Sequence, residues 1–110
     1  MLKQKLTFYN NFKNSDNFIL MPNVKFTYAL SRFFPGLKNT PATSNTLQEV
    51  LREIENSYPG IRNYILDEQG SLRRHVNIFI DGTLINDRTS LSDRFSENSE
   101  IYIIQALSGG

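Results

Sequence analysis

RRHVNIFIDG, residues 73–82, decides the fold. Val76, Ile78 and Ile80 point one way and Asn77 and Phe79 the other, the period-two pattern of a strand with one buried face. Asp81-Gly82 closes the stretch with two residues that tolerate positive φ, as a tight hairpin turn requires. Thr83 to Ile85 are therefore expected to pair back briefly.

Upstream lies a helix with clear signals. Thr46 and Glu49 form a capping box, and Leu47, Val50, Leu51, Ile54 and Tyr58 recur at helical spacing. Arg52, Glu53 and Glu55 fall on the water side, and Pro59-Gly60 ends the helix, with one further turn expected at Ile61, Tyr64 and Ile65. Earlier still, Val24 to Leu30 alternates with Val24, Phe26 and Tyr28 on one side and reads as a strand. After the turn RFFPG at residues 32–36, Leu37 to Thr43 is expected to return as an edge strand, since Pro41 has no amide to donate. Phe33-Phe34 reads as core or loop packing. Downstream, Leu91 and Phe95 anchor an irregular stretch, Asn98 is expected in a left-handed turn, and Glu100 to Leu107 forms the last strand. One helix across one mixed sheet of four to five strands is an α+β architecture. Its core is expected where Leu47, Val50, Leu51 and Ile54 meet Val76, Ile78, Ile80, Ile101 and Ile103.

A chain of 110 residues suits a single domain. The domain is expected over residues 21–107, with Met21 at its start. Residues 1–20 form an N-terminal extension in which Asn10, Asn11, Asn14 and Asn17 interrupt every periodic pattern. Two readings stand for it: a poorly ordered extension, or a segment loosely packed through Phe8, Tyr9 and Phe12. Residues 108–110 are expected as a flexible tail.

Composition excludes much chemistry. With no cysteine and one histidine, no thiolate nucleophile, disulfide or Cys-type zinc site exists. His75, expected in the strand between Arg74 and Val76, reads as a structural or solvent-facing residue, and Asp67-Glu68 and Glu97–Glu100 as solvated turns. Charge is uneven. Residues 1–38 hold all five lysines and Arg32 against Asp16 alone, whereas residues 39–110 hold six arginines against ten acids. The cations stand singly among Asn, Phe and Tyr, so a mild surface bias is expected, with no nucleic acid as partner. No apolar run approaches the roughly 20 residues of a membrane span, nor the roughly 7–15 of a signal peptide. The expected compartment is the cytoplasm, with no membrane partner.

The chain ends in Gly109-Gly110, directly after the last strand. Alone, a terminal Gly-Gly reads first as a frayed end. The segments YPGIRNYILDEQGSLRRHVNIFIDG (58–82) and SLSDRFSENSEIYIIQALSGG (90–110) together resemble the ThiS/MoaD family of sulfur carriers, in its longer members, and reverse that reading. The resemblance runs from about Pro22 to Gly110. It implies a β-grasp, ubiquitin-like fold. It also implies that an adenylating enzyme of the ubiquitin-activating type, using ATP and Mg²⁺, converts the Gly110 carboxylate to an acyl-adenylate, from which sulfur displaces AMP to leave a thiocarboxylate. A sulfur-accepting biosynthetic enzyme would then take the sulfur. On this implication the chain binds no cofactor and is a protein co-substrate rather than an enzyme. Gly110 is the reacting residue, and Gly109 threads the partner's channel. Phe79, facing away from the helix, with Leu107, Ser108, Arg73 and Arg74, is expected to contact partners. Where tails of the family often carry a proline, this chain has Gln105 to Ser108. That departure weighs against molybdopterin synthase as acceptor, and the match to the longer members favours one of the cysteine-synthase type or another biosynthetic acceptor. Two other readings share the sequence: a ubiquitin-like modifier joined to lysines through Gly110, and a plain interaction domain using the face around Phe79.

Overall fold

The computed structural model describes residues 20–106. In chain order the elements are β1 (Asn23–Phe26), α1 (Tyr28–Ser31), β2 (Thr40–Pro41), α2 (Leu47–Ser57), α3 (Ile61–Ile65), β3 (Val76–Ile80), β4 (Thr83–Leu84) and β5 (Glu100–Gln105). They build one five-stranded sheet in the order β2-β1-β5-β3-β4. Pairing is antiparallel except between β1 and β5, which run parallel. The sheet is mixed, and α2 packs across it. The extension expected over 1–20, Leu20 apart, and the tail over 108–110 lie outside the described residues.

α2 forms as its sequence dictates. The Thr46 hydroxyl accepts from the Glu49 amide, but only this half of the capping box is made, because the Glu49 carboxylate turns to Arg52. Leu47, Val50, Leu51 and Ile54 are buried. They join Val24, Val76, Ile78, Ile101 and Ile103 in one core, with Ile80 packed partly against it. Gly60, at φ 97°, ends the segment in the left-handed conformation that a Cβ disfavours. The β3–β4 hairpin turns through Asp81 (φ 52°) and Gly82 (φ 85°), the two positive φ values of a type I′ turn.

Three expectations are corrected. The first strand ends at Phe26 rather than Leu30, and a helical turn follows, closed by the Ser31 hydroxyl donating to the Tyr28 carbonyl (2.7 Å). A continuing strand would bury only alternate residues. The turn buries the neighbours Ala29 and Leu30 together and leaves Tyr28 81% exposed. The return strand shrinks to Thr40–Pro41, at the sheet edge, where proline is tolerated. Asn98 is not left-handed; Leu91 is, at φ 56°. Its side chain is 2% exposed, and core burial offsets the roughly 1–2 kcal/mol that conformation costs.

Candidate functional site

The site is built around the end of β5, the central strand. β5 pairs with β1 through Phe26↔Ile103 and with β3 through Val76↔Gln105. Beyond the last pair, the Gln105 amide donates to the Thr27 hydroxyl (3.3 Å) and the Ala106 amide to the His75 carbonyl (2.9 Å). The strand is thus gripped on both sides until four residues before the C-terminus. Leu107, Ser108, Gly109 and Gly110 lie outside the described residues. The structure fixes only the pole from which they start, between Thr27 and His75.

The sheet face away from α2 carries Phe79 opposite Tyr102, and Leu84 opposite Phe79. Directly opposed residues share a face, so these three form one apolar patch, extended by Ile104 opposite Asn77. Phe79, Tyr102 and Ile104 are half-buried and Leu84 is exposed. Lys25 flanks the patch, its Nζ 5.5 Å from the Tyr102 ring centroid and 3.7 Å from Glu100. Phe79 therefore faces away from the helix as expected, in a wider patch than sequence reasoning named. The signal for the rest was the alternation in EIYIIQ, which puts Tyr102 and Ile104 opposite Ile101 and Ile103.

The two expected contact arginines separate. Arg73 is half-buried, and its Nε donates to the Asn63 carbonyl (2.7 Å), tying the approach to β3 onto α3. Both lie before β3, which begins only at Val76 because the Arg73 carbonyl already accepts from the Val76 amide in a turn. His75, expected in the strand, stands instead with Arg74 in the turn that the Val76 amide closes; both are exposed and make no ion pair among the described residues. Arg88, which the sequence did not single out, reaches from the loop after β4 to donate to Asn77 Oδ1 (2.8 Å) and to the Arg73 carbonyl (2.6 Å). That loop is organised by Asp87. The carboxylate accepts from Ser92 Oγ and from the Ser90, Ser92 and Thr89 amides, bonds that hold it down to about 2. Among the described residues, no group of three acidic or histidine side chains is placed to hold a metal ion, and no helix is long and apolar enough to cross a membrane.

A sequence model of the ThiS family matches residues 26–110. The chain belongs to the ThiS family. As a ThiS-family chain it is 29% identical over 77 residues to the sulfur carrier protein CysO of Mycobacterium tuberculosis, an alignment covering 68% of this chain and 83% of the relative. The crystal structure of M. tuberculosis CysO superposes with a TM-score of 0.66 at 25% identity, covering 77% of this chain and 98% of that one. A chain of the Amycolatopsis orientalis BexX/CysO complex gives a TM-score of 0.67 at 21% identity, covering 80% of this chain and 98% of that one. The small archaeal modifier protein 1 of Methanosarcina acetivorans gives 0.67 at 23%, over 86% and 100%. These neighbours establish the β-grasp, ubiquitin-like fold.

Proposed function

We propose that this ThiS-family chain carries sulfur on the carboxyl group of Gly110. The observation that supports the reading is the hold on the central strand just before the chain end: the core anchors β5, the Ala106 amide is still bonded to His75, and in sequence Leu107-Ser108-Gly109-Gly110 follows, ending in two residues without side chains. In the proposed reaction the Gly110 carboxylate oxygen attacks the α-phosphorus of ATP on an adenylating enzyme. The α–β phosphoanhydride bond breaks, and pyrophosphate leaves. The acyl-adenylate is needed because a bare carboxylate is a poor electrophile. A sulfur nucleophile then adds to the carboxyl carbon and AMP departs with the bonding pair, leaving a thiocarboxylate. ATP and Mg²⁺ belong to the activating partner, and the carrier binds neither. It acts in the cytoplasm as co-substrate, with the Phe79 patch as docking face and the sulfur passing to a biosynthetic acceptor of the cysteine-synthase type. Family membership, and the likeness to a sulfur carrier named CysO, support this reading.

Intact-mass measurement tests it. After incubation with an adenylating enzyme from the same genome, ATP and a sulfide source, the carrier is expected to exchange one oxygen for one sulfur. An unchanged mass, with the enzyme demonstrably active, overturns the reading. Lysine adducts that vanish on deletion of Gly110 would instead assign the same adenylate to protein modification.

A further inference from the structure

We propose that the pole surrounding the tail root is a second contact surface, aromatic and cationic, which docks against an acidic rim on the enzyme whose channel receives Gly110. The inference rests on the carrier reading and names the chemistry of the partner surface.

The surface is continuous by contact. From Ala106 the ladder passes to His75, then to the exposed Arg74 and to Arg73, which is bonded to the Asn63 carbonyl. Next to Asn63, the Tyr64 ring lies 5.3 Å from that of Phe33 and 5.2 Å from that of Phe34. On the other side of the root, Thr27, whose hydroxyl holds Gln105, is followed at once by Tyr28. Tyr28 is 81%, Phe33 53% and Tyr64 37% exposed. Of the two roles expected of Phe33, core or loop packing, the structure shows the second, against Tyr64, and it leaves three rings in water on one small pole.

The charge on this pole is predominantly positive. The three segments that build it, residues 27–38, 60–66 and 71–77, contain Arg32, Lys38, Arg62, Arg73 and Arg74 and no carboxylate. The loop joining the second and third segments adds Asp67, turned onto its own loop amides, and the exposed Glu68, both beside Arg62. The nearby Glu55 is turned inward, onto the Gly60 and Arg62 amides. Among the described residues neither ion pair, Lys25–Glu100 or Arg52–Glu49, involves these cations, although Glu55 feels the charge of Arg62. Tyrosine, phenylalanine and arginine are the side chains enriched at protein interfaces, and unpaired cations recognise carboxylates.

Chain length decides what the cations touch. Four residues after Ala106 span at most about 14 Å when fully extended. With the tail inserted, the Gly110 carboxyl and its adenylate lie deeper than an arginine rooted at the pole can follow. Arg32 and Arg74 therefore meet the rim of the channel and not the nucleotide.

The test is the ATP–pyrophosphate exchange reaction of the adenylating enzyme with carrier as the varied substrate. Arg32→Glu combined with Arg74→Glu is expected to raise KM about tenfold or more at low salt with kcat little changed. The gap should narrow as salt rises, and the paired Arg→Lys variant should keep most of the affinity. Both positions are exposed, so an unaltered melting curve shows that the variant is folded. Phe33→Ala should raise KM without salt dependence. If the wild type is activated and the double Glu variant has an unchanged KM, the inference falls and the carrier reading stands. Failure of the wild type to be activated overturns both. Loss of transfer-RNA binding in the double variant with KM unmoved overturns the inference in favour of a nucleic-acid contact.

Discussion

Gln105 is the residue at which stability and tail presentation meet. Its amide is bonded to Thr27, yet its side-chain Oε1 is buried without a hydrogen-bond partner. A buried orphan acceptor costs about 1–3 kcal/mol, and an apolar side chain of similar size removes that cost. Gln105→Leu should therefore raise the thermal midpoint by a few degrees in calorimetry; a fall would mean that Oε1 has a partner, such as a bound water. Glu53 shows the opposite condition. Burial pushes its carboxyl upward, but bonds from the Ser44 hydroxyl and from the Thr43 hydroxyl and amide outweigh burial and leave it below the ordinary value. A group with a depressed folded value contributes fully above its unfolded value, near 4.3 for glutamate, and loses that contribution as pH falls through the folded value. Glu53→Gln is thus expected to cost on the order of 0.5–1 kcal/mol at pH 7, allowing for solvent screening. The difference should shrink in urea titrations as pH falls from the unfolded value through the lower folded one.

At the scale of elements, legibility followed the number of concordant signals. α2 had a cap, an apolar stripe and a Pro-Gly stop, and β3 with its hairpin had strict alternation and a turn dipeptide. Both stand where the sequence put them. β1 was overextended because YAL continues an alternating pattern, and only the burial of Ala29 and Leu30 together reveals the helical turn. Left-handed backbone was assigned to Asn98 by propensity, but packing imposed it on Leu91 instead. The sheet face away from α2 was half legible: Phe79 came from alternation, whereas Arg88 reaches that face from a loop with no periodic signal. The concordant elements also bear the load. Leu51 is 1% exposed in the α2–sheet core, so Leu51→Ala should cost about 2–5 kcal/mol. Chemical denaturation should show this as a lower midpoint with an unchanged slope.

For the whole molecule, the carrier reading separates two properties that are joined in most enzymes. Stability resides in the core between α2 and the sheet, while the proposed chemistry resides at an end that the core only holds out. The terminal Gly-Gly is read from sequence alone, outside the described residues; the pole before it was not legible, because three distant segments assemble it. The separation can be tested in both directions. Appending one alanine after Gly110 buries no new surface in the core, so the melting temperature should stay within error of the wild type. It does move the carboxylate one residue along and places a methyl group where the channel must pass a side-chain-free end. Adenylation should then fall about a hundredfold or more, the size of effect that an ångström-scale misplacement of a reacting group produces. Leu51→Ala should show the mirror image, with a depressed midpoint and, well below it, near-normal formation of the thiocarboxylate. Full activity in the extended chain would instead mean that the terminus is idle and that the Phe79 face is the only working part.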